Sequence, residues 1–158
     1  MTKTIFGVIL LAATCLVWQP VLAQDQLRRQ PVTLPADAKA IFLAQMLGHM
    51  VALDAVITAL GRGDYAAAAE VAANEIAVPR FQDAGGGSDS GPGLGVGEHL
   101  PEAFRAIGKR FRSAAGDFAE TARAMPAAPS GAQQQAVIAA LGEITNECRA
   151  CHDAYRFE

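Results

Sequence analysis

The chain has 158 residues, a formal net charge of −3, and hydrophobic side chains at 51% of its positions. That length suits one domain and is short for two. The acidic balance, with no basic stripe to displace counterions, argues against nucleic acid as a partner.

The amino end reads as a secretory signal over residues 1–23. Lys3 provides the positive start, Ile5 to Val17 is apolar almost throughout, and Val21-Leu22-Ala23 ends in small-x-small fashion. The apolar stretch is short for a membrane span. Cys15 raises the alternative of a lipoprotein signal, but Thr14 stands where a small Gly, Ala or Ser is expected. Cleavage before Gln24 is therefore expected. It discards Cys15 and leaves residues 24–158 as one periplasmic domain, with no stable membrane insertion and a charge one unit more negative.

After a polar lead containing Pro31 and Pro35, the mature region reads as four helices with almost no strand signal. The first is expected over residues 37–60, with Leu43, Met46, Met50, Leu53, Ile57 and Leu60 spaced as a bundle seam. Gly61 and Gly63 stop it, and Asp64 suits the cap of the next. The second, alanine-rich helix is expected from Tyr65 to Val78, ending before Pro79. Residues 83–97 hold seven glycines and Pro92, the composition of a flexible connection. No strand precedes these glycines and no Lys-Ser/Thr pair follows them, so they do not read as a phosphate loop.

The third helix is expected to begin near Pro101, with Phe104, Ile107, Phe111, Ala114 and Phe118 on one face and Pro126 and Pro129 beyond its end. Ser130 and Gln133 fit a capping box opening the fourth. Its inner row is Val137, Leu141, Ile144, Cys148, Cys151 and Tyr155, so the two cysteines continue the core stripe in register. The expected architecture is all-α, an antiparallel up-down-up-down four-helix bundle.

Cys148-Arg149-Ala150-Cys151-His152 is C-x-x-C-H, the attachment signature of haem c. Residues three apart share a helix face, so both thiols can reach two vinyl groups on one porphyrin edge. His152 can then bind the iron from the proximal side. A C-x-x-C disulfide of thioredoxin type would call for a βαβ context, and zinc for further Cys or His ligands. One covalent haem c is the expected cofactor.

The other axial position decides the function. The first helix offers Met46, His49 and Met50, and in a bundle of this topology it neighbours the fourth. Met46 lies near its start, the end that should adjoin the carboxyl end of the fourth helix, and is the expected distal ligand, with His49 the alternative. Met50 is expected to be core filler. His99 reads as solvated, and Met125 as packing or capping at a helix end. With both axial sites filled by protein the chain would be a single-electron carrier. An open distal face would instead make it a binder of small gases such as nitric oxide, and a third reading is a haem-bearing interaction or sensing module without turnover. No nucleophile–base pair or paired carboxylates suggest an enzyme.

The residues from Ala36 to Phe157 resemble the cytochrome c-prime family, the class II cytochromes c, whose haem motif lies near the carboxyl terminus. The most specific point is Cys148-Arg-Ala-Cys-His-Asp-Ala-Tyr-Arg156, similar to the family's C-x-x-C-H-x-x-Y-R ending. Ala44-Gln45-Met46 ahead of the Gly-Arg-Gly turn at 61–63 resembles its first helix. The resemblance implies thioether anchors at Cys148 and Cys151, a proximal ligand at His152, and a distal ligand at Met46, as in low-spin members. It also implies a basic residue near the proximal haem face at Arg156, one helical turn beyond His152. Phe42 occupies the position where the family often carries an arginine thought to pair with a propionate. Redox proteins, the haem-attachment machinery and a second copy of the chain are the partners it implies.

Overall fold

The computed structural model describes residues 29–78 and 96–158. The expected signal segment, its cleavage point, Pro79, and residues 83–95 of the glycine-rich connection lie outside them.

Four helices form the bundle: α1 (Ala36–Gly61), α2 (Tyr65–Val71), α3 (Glu102–Arg123) and α4 (Gly131–Ala154). Their ends follow local chemistry. The turn after α1 needs a left-handed residue and has Gly63 at φ 73°. Asp64 then caps α2, its Oδ1 accepting from the Ala67 amide at 3.0 Å. Beyond Val71 the helix widens into a π turn over Ala72–Ile76, where the Ala77 amide donates to the Ala72 carbonyl at 2.9 Å. A short 3-10 turn, Val96–His99, precedes α3, and Pro101 is the residue before its first turn. The expected capping box is present at α4. The Gln133 amide donates to Ser130 Oγ at 3.3 Å, and the Ser130 amide to Gln133 Oε1 at 2.8 Å.

Close backbone packing runs α1 on α2, α2 on α3, and α3 on α4; among these four neighbouring seams, α1–α4 has the least backbone approach. Two apolar cores sit at different heights. The first gathers Ala52, Val56 and Ala59 of α1, the alanines of α2, Ala115, Phe118, Ala119 and Ala122 of α3, and Val137 and Ile144 of α4. Small residues there allow the helices to approach closely. The second gathers Val32, Leu34, Ala38, Phe42, Val96, Leu100, Phe104 and Tyr155.

The expected seam of α1 requires correction. Leu43, Met50 and Ile57 are 51%, 63% and 52% exposed, so Met50 is not core filler. The buried row is Ala38, Phe42, Ala52, Val56 and Ala59. The reason lies in the helix itself, which is apolar on nearly every face and offers the 3-4 spacing along two stripes. The small residues that let α2 approach decide which stripe turns inward. α1 is also the one described helix long and apolar enough to cross a membrane by length and composition. Its inner row, however, belongs to both bundle cores.

Two short strands were not expected. β1 (Gln30–Val32) pairs in parallel with β2 (Tyr155–Phe157), with Gln30 opposite Tyr155 and Val32 opposite Phe157. The fourth helix therefore stops at Ala154, and Arg156 lies on a strand instead of one helical turn beyond His152. Pairing with the amino-terminal lead satisfies backbone groups that a fraying helix end would leave open.

Candidate haem site

Between the two cores lies a band where the inward side chains are only half-buried. It comprises Gln45, Met46 and His49 on α1, Ile107 and Phe111 on α3, and Glu147, Cys148 and Cys151 on α4. α4 supplies the thiols because its inner row runs unbroken from Val137 and Ile144 into the motif. Cys148 and Cys151 are both free thiols. Burial pushes the Cys148 thiol up, with the Glu147 carboxylate adding to the shift. Burial, with repulsion from Cys148, pushes Cys151 up to about 11. Burial thus favours the neutral form of both thiols. Among the described residues no cluster of three His, Cys, Asp or Glu side chains is placed to hold a metal ion.

Met46 of α1 and Cys151 of α4 each pack against the second core. His49 lies one turn further along, its ring 5.0 Å from that of Phe111 on α3. His152 is exposed on the last turn of α4, where a basic group suits the helix dipole. Arg156 donates to the Arg29 carbonyl at 2.7 Å and to Glu158 at 2.9 Å. His99 is exposed beside Glu98, and Met125 packs on the first core.

Two polar atoms are informative. Gln45 Oε1 and Glu147 Oε2 are buried without a hydrogen-bond partner, although the other oxygen of Glu147 accepts from Arg110 at 2.9 Å. Gln45 precedes Met46 and Glu147 precedes Cys148, so the orphaned atoms flank the band on two helices. Buried polar atoms are normally satisfied. These two fit a site whose remaining partner is a polar group of a bound cofactor or an ordered water. A half-buried band between two cores, two thiols at helical spacing, and an imidazole at the next residue suit a porphyrin held by α4.

Sequence reasoning missed Gln45, Glu147 and Arg110 because nothing in their spacing marks them. It also missed the second core's lid. There a signal existed: Val32 and Leu34 alternate with polar neighbours, as do Tyr155 and Phe157 about Arg156.

Fold and motif together define a helical-bundle cytochrome of the c type. A family model described as Cytochrome C' matches residues 37–156, and the chain belongs to that family. Its members bind haem c, are generally non-catalytic electron carriers or gas binders, and are typically exported. Searches of curated proteins and of solved structures give no significant match.

Proposed function

We propose that the mature chain is a periplasmic single-electron carrier holding one haem, with thioether bonds at Cys148 and Cys151 and axial ligands His152 and Met46. The observation that carries this reading is that Met46 of α1 and Cys151 of α4 share one apolar cluster. His49, the alternative ligand, has its ring tilted by 49° against that of Phe111.

The bound haem supplies a one-electron iron couple whose potential a thioether ligand raises. The chain's own residues do the rest. Cys148 and Cys151, three residues apart on α4, would hold the haem through thioether bonds to its two vinyl groups. His152 and Met46, on separate helices, would both ligate the iron, so electron gain or loss would require little rearrangement. Phe42 and Phe104, buried one turn from the band, would keep water from that side of it.

Replacing Met46 with Ala in the haem-loaded protein tests the ligand. Expected are loss of the long-wavelength ferric absorption associated with Met sulfur, and rapid carbon monoxide binding by the ferrous form. If His49→Ala produces that change and Met46→Ala does not, the assignment passes to His49. If the unaltered protein is already high-spin and open to carbon monoxide, it is a gas binder. Colour that separates from the polypeptide in acid-acetone overturns covalent attachment.

A second copy of the chain is the proposed partner of α1's outward stripe. Leu43, Leu47, Met50, Val51 and Ile57 are exposed there, five of the six large apolar side chains that stand out of the surface among the described residues. Gly48 has open space around it, so two such helices could approach closely. Val51→Glu should shift sedimentation from dimer to monomer; a parent protein that sediments as a monomer rejects the pairing. Soluble redox proteins and the haem-attachment machinery complete the proposed partners.

A further inference from the structure

We infer that the β1–β2 pair is a clasp that sets the spacing of α1 and α4 at the haem band, and through α1 the position of the Met46 side chain. The inference rests on the Met46 and His152 assignment above. Backbone packing does not set that spacing, because α1 and α4 approach each other least of the neighbouring pairs. Side chains set it instead. The Phe42 ring of α1 lies 4.4 Å from the Phe157 ring of β2, and Phe104 of α3 meets Phe42, Tyr155 and Phe157 at 5.8, 5.1 and 5.8 Å.

Each proposed axial ligand is close to this cluster along the chain: Met46 follows Phe42 by one turn of α1, and His152 lies three residues before Tyr155, where α4 passes into β2. β1 closes the cluster. Val32 and Leu34 are 3% and 6% exposed within it. The Glu158 amide donates to the Val32 carbonyl at 3.2 Å, and the Arg156 guanidinium to the Arg29 carbonyl at 2.7 Å. The two sides of the band are not equally secured. Two thioether bonds would tether His152 to the haem through α4, whereas Met46 would have no such covalent tie and is held by α1 and its packing on the second core. When the clasp loosens, the site end of α1 is therefore what moves. Val32 and Phe157 are positioning residues; neither touches the iron.

The test uses the mature haem-loaded protein carrying Phe157→Ala, with Phe157→Leu as the conservative variant. Three quantities are read: the Met-sulfur ferric band, the carbon monoxide association rate of the ferrous form, and amide exchange along α1. Expected for Phe157→Ala are a weaker band, with carbon monoxide association and exchange over residues 42–50 both faster by about tenfold. Exchange over residues 52–60, secured by the first core, should stay at the parent rate, and Phe157→Leu should restore all three readings. An unchanged band and carbon monoxide rate, or exchange that rises equally along α1, overturns the inference. If Phe157→Ala does not accumulate, Val32→Ala is read by the same criteria. Met46→Ala is measured alongside. Should it leave the band and the carbon monoxide rate unaltered, the ligand assignment falls, and the exchange pattern alone decides: a rise confined to residues 42–50 upholds the clasp and any other pattern rejects it.

Discussion

Truncating Phe42 to Ala should destabilise the bundle and disturb haem ligation, whereas Phe118→Ala should cost as much and leave ligation intact. The two phenylalanines are 3% and 0% exposed, so each loses nearly a full ring's burial. Such truncations cost about 3–5 kcal/mol, the removed apolar surface plus the cavity left behind. Against a total stability of about 5–15 kcal/mol that is a large fraction, and it lowers the melting temperature by about 10–20 °C for a domain of this size. The sites differ in what lies next to them. Phe42 touches Phe157 and Phe104 and precedes Met46 by one turn. Phe118 packs among small residues of the first core, away from the motif. Thermal melts followed by far-UV circular dichroism measure the shared loss. Ferric spectra taken well below each midpoint measure ligation. The reasoning is refuted if Phe118→Ala alters the ferric spectrum of the folded protein, or if Phe42→Ala leaves it at the parent form.

Three further outcomes follow from the same geometry. Ser130→Ala removes the Oγ acceptor of the capping box and should cost about 1 kcal/mol, seen as a small fall in the urea midpoint without spectral change. In reduced, haem-free protein Cys151 should alkylate slowly near neutral pH, its rate rising towards an inflection at about 11 against 9.0 for a free thiol. Because folding raises this pKa, the neutral thiol's contribution is complete below about 9 and is lost as pH climbs towards about 11. Urea midpoints of that protein should fall across the window, and Cys151→Ser should flatten the fall. Finally, the pair between Arg110 and Glu147 joins an exposed guanidinium of α3 to a partly buried carboxylate of α4, so Arg110→Gln should lower the melting temperature by a few degrees, and by less in high salt.

The boundaries of the bundle were legible because they depend on near neighbours. A glycine at positive φ, an Asp ahead of an alanine run, and a Ser with a Gln three residues on each act within one turn. All three were found where the residues predicted them. The inner row of α4 was equally legible, since its apolar residues form a narrow stripe that ends in the two cysteines. α1 was not legible in the same way. Its stripe of Leu43, Met50 and Ile57 satisfies helical spacing as well as the true inner row, and only packing against α2 distinguishes the two.

The chain's proposed chemistry is thus local information: C-x-x-C-H at the end of α4 points to haem c, and to His152 as its proposed proximal ligand, without reference to the remainder of the fold. Which residues face that site from across the bundle is non-local. Phe42 meeting Phe157, Arg110 meeting Glu147, and a strand at residue 30 pairing with one at residue 155 each join segments far apart in sequence. Their geometry depends on how the helices pack, and short-range spacing carries no record of it.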